Sequence, residues 1–272
     1  MVCCTAAPLG FLDETPINSM ISGHRPRAVR RQMVPNGHLL KSAVSFPYRA
    51  VTFDCFGTLI DWQRGQTLAL AKLPSLAAHA SRLEEIMQAR GPIEIELEAG
   101  PWMPYREILA RSIQRACQQV CGVKLSEDEA DAFAASQPHW PPFADTVAAL
   151  QQLAQLTTVG LLSNCDHDVL LQTAQSQLQT DVQLFVSAEQ VRSYKPAHGH
   201  WHRAIDELSC TPAEILHVSF TRHYDLNPAH ELGFPLGFLQ RYQTPTPTEL
   251  PIAHQAKDLQ ALVEDLQVLA AG

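Results

Sequence analysis

The sequence predicts an α/β protein: a Rossmann-like, doubly wound parallel sheet with an inserted helical cap. Three observations predict it. From residue 141 onward, short apolar runs alternate with amphipathic helical stretches, as in a parallel sheet covered on both faces. A strand of the same kind, Arg49-Ala50-Val51-Thr52-Phe53-Asp54-Cys55, stands far upstream. Between them, residues 64–138 show helical periodicity, which is best explained as a cap inserted after the first strand.

Taken in order, residues 1–46 carry no apolar period. They hold Pro8, Pro16, Pro26 and Pro35 and a cluster of Arg25, Arg27, Arg30 and Arg31, and read as a flexible N-terminal extension. The arginines also fit an organelle leader, against which Asp13 and Glu14 count; no sustained apolar run marks a secretory signal. The run at 49–55 ends at Gly57, so it is a buried strand followed by a turn. In the cap, 81–89 and 105–120 are amphipathic, with Gly91-Pro92 and Gly100-Pro101 as breaks. Ser126 with Glu129 three residues on marks a helix start. Helices follow at 143–154, 166–177, 198–208, 228–232 and 257–269, and strands at 157–162, 185–188, 215–219 and 236–239. The core is therefore 47–63 with 139–272, and the cap 64–138.

Composition narrows the function. The 272 residues are 46% hydrophobic, enough for a sizeable core, and the net charge of -8 argues against a nucleic-acid surface. No apolar run reaches the ~18 residues of a membrane span. Seven cysteines, an odd number without a CxxC pair, fit a reducing cytoplasm better than a disulfide scaffold.

Ligands of a doubly wound sheet bind beyond the carboxyl ends of its strands. Four candidates stand there: Asp54, the pair Ser163-Asn164, Lys195 and Asp225. Each has a local alternative. Asp54 could cap a turn, Ser163-Asn164 could cap the helix near 166, Lys195 could be a solvated loop residue, and Asp225 could be a helix cap. Trp62 and Trp201 read as pocket wall. His198 and His202 share a helix face at metal-chelating spacing, but no local acid or cysteine completes a site; the surface-helix reading is preferred, with His200 facing away. Strand alternation turns Cys55 away from Asp54, so it reads as a core thiol.

These residues also carry a resemblance. Phe53-Asp54-Cys55-Phe56-Gly57-Thr58-Leu59, Leu161-Leu162-Ser163-Asn164, Ser193-Tyr194-Lys195-Pro196 and the stretch from His217 through Asp225 resemble, in order, the four motifs of the haloacid dehalogenase superfamily. Asp61-Trp62 and the cap position point to its type II, 2-haloacid dehalogenase-like branch. The resemblance implies a hydrolase in which Asp54 attacks C2 of a small 2-haloacid through a covalent ester, giving the 2-hydroxy acid with inverted configuration. Lys195 would hold Asp54 charged, Thr58 would orient it, and Asp225 would position water or Lys195. Ser163 and Asn164 would bind the substrate carboxylate, with Phe56, Arg106, Trp201 and Thr221 also facing substrate.

Phe56 stands where phosphatases of the superfamily carry a second aspartate that protonates the leaving oxygen. A halide needs no such proton. The cap arginine that grips the halide in such enzymes has two candidates, Arg90 and Arg106. Trp201 stands where they carry a tyrosine, and Phe220-Thr221-Arg222-His223 replaces a Ser-Asn region, its Arg222 and His223 adding positive charge suited to a different anion. No cofactor is expected; Asp54 and Asp225 are the pair that would hold Mg2+ if one were used. A homodimer is common among relatives, and no nucleic-acid or membrane partner is expected. The alternatives are a Mg2+-dependent phosphatase, or a repurposed member with another small anion.

Overall fold

The computed structural model describes residues 46–271. The expected N-terminal extension therefore lies outside the described residues, except that Phe46 already packs against the core. The first strand, β1 (Ala50–Asp54), is buried along its whole length. The chain then forms α1 (Trp62–Leu70), a 3-10 stretch (Pro74–Arg82), α2 (Leu83–Glu98), α3 (Tyr105–Cys121) and α4 (Glu127–Ala135). It continues through α5 (Thr146–Ala154), β2 (Thr158–Ser163), α6 (His167–Thr173), β3 (Leu184–Ser187), α7 (Ala188–Val191) and α8 (Gly199–Leu208). It ends with β4 (Ile215–Ser219), α9 (Asn227–Glu231), β5 (Leu236–Leu239), β6 (Ile252–Ala256) and α10 (Leu259–Ala271).

The six strands form one parallel sheet in the order β3-β2-β1-β4-β5-β6. The order reverses beside β1, so the carboxyl ends of β1 and β4 open a crevice between them. Side chains alternate across the sheet. Val51 and Phe53 of β1 join a cluster with Leu150, Leu153, Leu262 and Leu266 of α5 and α10. Ala50 joins the other cluster, with Trp201, Ala204 and Ala229 from α8 and α9. Each fully buried leucine contributes about 1.5–3 kcal/mol to holding these layers.

The helices between β1 and β2 leave and rejoin the sheet through adjacent segments. Asp61 N donates to Pro141 O at 2.8 Å, and Phe143 N to Leu59 O at 3.1 Å. The helical block is also tied to the sheet at the start of α3. That helix begins at Pro104, which offers no side-chain cap. Asp166, from the loop after β2, accepts the free N–H groups of Tyr105 (3.0 Å) and Arg106 (2.9 Å). A carboxylate there satisfies orphan donors and faces the positive end of the helix dipole. The expected cap at Ser126 is present as a full capping box with Glu129. Glu129 also accepts from Ser75 N and Oγ, both at 2.8 Å.

Two expectations are corrected. Gly91-Pro92 does not break a helix; α2 runs through it. Proline removes one N–H, and the carbonyl left free is that of exposed Gln88, which water can satisfy. Ile86, Arg90 and Ile93 remain buried along the helix. The edge strand β6 was not anticipated. Its half-buried sequence, Ile252-Ala253-His254-Gln255-Ala256, carries too little apolar signal to stand out.

Candidate active site

Asp54 is the last residue of β1 and is 7% exposed. The chain turns at Gly57, whose φ of 110° suits glycine. A side chain there would begin 2.2 Å from the Phe220 ring, so the turn also needs the missing Cβ. The turn delivers Thr58, whose hydroxyl donates to Asp54 Oδ2 at 2.9 Å.

Lys195 follows α7 and is 1% exposed. Its backbone is clamped by Asn164: Lys195 N donates to Oδ1 at 2.7 Å, and Nδ2 donates to Lys195 O at 3.2 Å. The ammonium then lies between two carboxylates, 3.0 Å from Asp54 Oδ1 and 2.6 Å from Asp225 Oδ1. Asp225 sits in a single π-helical turn, Arg222–Leu226, after β4. It also accepts from His217 Nε2 and Ser219 Oγ, both at 3.2 Å. A carboxylate only accepts, which places the His217 proton on Nε2 and leaves Nδ1 to accept from Thr52 Oγ1 at 3.0 Å.

These contacts divide the charges. Burial opposes the Lys195 charge, but Asp225 and Asp54 together outweigh it, so its pKa lies above the ordinary value. Burial would lift Asp225 too; Lys195 and His217 overcome it and hold that group ionised. Asp54 shares the more distant contact with Lys195 and feels the charge of Asp225. Burial dominates there and pushes it up to about 6. Burial holds His217 below its ordinary value, as a neutral imidazole.

Above this cluster is a largely apolar cavity of about 320 Å³. Core residues Asp54, Phe56, Ser163, Asn164, Lys195, Thr221 and Asp225 line its floor and sides, and Trp62 lines it too. The Asn164 amide is spent on fixing Lys195. The helix-capping alternative for Ser163-Asn164 is not realised; Asp166 holds the cap position of α6. Thr58 is wholly buried beside Asp54.

Two expected substrate contacts are not there. Arg106 has a side chain 53% exposed and is spent on Asp166 Oδ2 (2.9 Å) and Asp168, joining the first turns of α3 and α6. Arg90 is the arginine on the cavity wall. It is 3% exposed and bound to Glu94 (3.0 Å), Gln66 (3.2 Å) and Ser112 (3.3 Å). Trp201 is also absent from the cavity. It is fully buried, with its ring 6.0 Å from Lys195 Nζ and edge-on to His217, so it keeps water from the far side of the ammonium.

Other neighbours follow the same logic. Arg222 turns outward to Glu249, and exposed His223 rests against Tyr224, so neither adds charge to the cavity. His198 bonds Glu231 at 3.0 Å. His200 turns away from the face shared by His198 and His202, as expected, and into the core: it is buried, with Nε2 3.1 Å from Ser163 O, and burial lowers its pKa to about 3. Burial holds the Cys55 thiol well above its ordinary value, in line with a core thiol. Sequence reasoning missed Glu94, Glu98, Tyr105 and Tyr224 on the cavity wall, and His217 and Ser219 beneath Asp225.

A profile of the haloacid dehalogenase-like hydrolases matches residues 48–219, more than half of the chain. The chain belongs to that family. This haloacid dehalogenase-like hydrolase is 23% identical to an enzyme named (S)-2-haloacid dehalogenase from Pseudomonas fluorescens, across 71% of the chain and 85% of that enzyme. An enzyme of the same name from Xanthobacter autotrophicus is 28% identical, across 71% and 75%. Among solved structures, L-2-haloacid dehalogenase from Xanthobacter autotrophicus superposes with a TM-score of 0.70 at 21% identity, covering 81% of the chain and 98% of that protein. A structure described as a defluorinating L-2-haloacid dehalogenase gives 0.68 at 23%, covering 81% and 95%. These likenesses place the hydrolase in the same α/β fold.

Proposed function

We propose that this hydrolase cleaves the carbon–halogen bond of a small 2-haloacid, with Asp54 as nucleophile. One observation carries the reading. A buried carboxylate at the floor of a largely apolar cavity is held by an ammonium on one oxygen and a hydroxyl on the other, and the position two residues on is Phe56.

Lys195 favours the ionised form of Asp54 and, with Thr58, fixes its direction. An Asp54 oxygen attacks C2 of the haloacid, the C–O bond forms as the carbon–halogen bond breaks, and halide leaves. Water then adds to the Asp54 ester carbonyl; its other oxygen takes up negative charge beside Lys195 and Thr58. Collapse breaks the bond to the alkoxide oxygen, which takes one of the water's protons to give the 2-hydroxy acid; the other proton passes to solvent, and the Asp54 carboxylate is regenerated. Asp225, kept ionised by its own contacts, holds Lys195 in place and borders the cavity where water must arrive. The helical block acts as a cap, with Arg90 as its arginine on the cavity wall to serve a leaving halide. Relatives named (S)-2-haloacid dehalogenase support this substrate class.

The phosphatase alternative fits the residues less well. A divalent ion would bind between Asp54 and Asp225, and the Lys195 ammonium fills that place. No acid stands at Phe56 to protonate an alkoxide. The test is chloride release from 2-chloropropionate beside hydrolysis of an aryl phosphate, each with and without Mg2+. Metal-independent chloride release is expected; Mg2+-dependent phosphate release without chloride release would reverse the assignment.

A further inference from the structure

Each cation on the cavity wall is already matched. Lys195 lies between Asp54 and Asp225, and Arg90 is held by Glu94. One further carboxyl, Glu98, lines the same cavity. It follows Arg90 and Glu94 at four-residue steps along α2, so all three share a helix face. Among the described residues, its side-chain hydrogen bond is from the Tyr224 hydroxyl, 3.4 Å from Oε2, and it has no ion-pair partner. Glu98 and Tyr224 also line an outer groove with Arg192 and His223, which puts this carboxyl at the boundary between that groove and the catalytic cavity.

An incoming carboxylate therefore finds no spare cation on the wall. We propose that Glu98 is a specificity-determining residue: its carboxylic acid O–H donates a hydrogen bond to the substrate carboxylate, and its ionised form repels that carboxylate. The identity of the anion rests on the dehalogenase reading above. Burial, and next the charge of Glu94, push Glu98 up to about 8 against the pull of Tyr224, Arg90 and Lys195. At neutral pH it is an acid with a proton to share.

The titratable and charged groups around it are Arg90 and Glu94 on α2, Tyr105 on α3, and Asp54, Lys195, Tyr224 and Asp225 from the core, with Arg192 and His223 in the outer groove. Burial lifts Tyr105 and Tyr224 above the ordinary tyrosine range, Lys195 keeps its proton, and Asp54 titrates near 6. Of these displaced groups, Glu98 is the one that changes charge between pH 7 and 10.

Calorimetric binding of propionate, which has no leaving group, and of neutral propionamide to the full chain tests this from pH 7 to 10. Wild-type Kd for propionate should rise about tenfold per pH unit above about 8. The Kd for propionamide should stay level. Glu98→Gln, which keeps a donor, should bind propionate within about threefold of the wild-type pH 7 value, without the rise. A level wild-type propionate profile, a rise that survives in Glu98→Gln, an equal rise for propionamide, or no propionate binding at pH 7 would each overturn the proposal. Chloride release from 2-chloropropionate is read separately. Release without pH-dependent binding sinks the role of Glu98 alone, and pH-dependent binding without release sinks the dehalogenase reading alone.

Discussion

Lys195→Met removes the ammonium between two buried carboxylates while roughly keeping side-chain length. Asp54 and Asp225 are 7% and 1% exposed, so water cannot replace the lost charge. A neighbouring cation lowers a carboxylate pKa by ~1–3 units. Asp54, now near 6, should therefore move to about 7–9 in the variant. At a midpoint of about 8, roughly one-tenth of the nucleophile is ionised at pH 7, against roughly nine-tenths in the wild type. Chloride release at pH 7 should fall about tenfold from ionisation alone and recover partly as pH rises. The sign follows from the ionised form being the active one: wild-type activity is lost as pH falls through about 6. Breaking a buried pair should also cost about 3–5 kcal/mol of stability. Carbon-13 NMR of labelled aspartate carboxyls gives the midpoint without relying on turnover. An Asp54 midpoint still near 6 in Lys195→Met would refute the coupling read from the 3.0 Å contact.

Two further perturbations separate structure from chemistry. Arg106→Ala should leave halide release unchanged and cost about 1 kcal/mol or less in denaturant unfolding, because the half-exposed guanidinium is largely screened by water and buried Asp166 keeps its backbone donors. Arg90→Ala should instead lower kcat/KM at least tenfold in the same assay and cost about 3–5 kcal/mol, since it strands Glu94. Gly57→Ala should destabilise by about 1–3 kcal/mol and lower the rate of halide release, because a β-carbon there meets Phe220 and strains the turn that carries Thr58; an unchanged unfolding midpoint would contradict this.

The strand-end residues were legible because a parallel sheet forces successive carboxyl ends together. Asp54, Ser163, Asn164, Lys195 and Asp225 could be placed without knowing any contact. What failed was side-chain direction. Arg106 and Arg90 are both arginines of the helical block, and only packing shows that the first reaches out to Asp166 and Asp168 while the second turns inward. Trp201 follows Lys195 at pocket-like spacing, yet α8 buries it behind the lysine. The face formed by Arg90, Glu94 and Glu98 was readable in principle, at i, i+4 and i+8. Taking Gly91-Pro92 as a break cut that face in two. His217 could have been suspected as the one basic side chain in the apolar strand Ile215–Ser219, although its partner Asp225 depends on the turn after it.

The account rests on an ester between Asp54 and the substrate carbon, and a single-turnover reaction in 18O water tests it directly. With enzyme in excess over 2-chloropropionate, the new hydroxyl of the product should carry ordinary oxygen taken from Asp54, and mass spectrometry of the peptide containing Asp54 should show the 18O. Product labelled with 18O in that first turnover, with Asp54 unlabelled, would mean that water attacks C2 directly and that Asp54 is not the nucleophile.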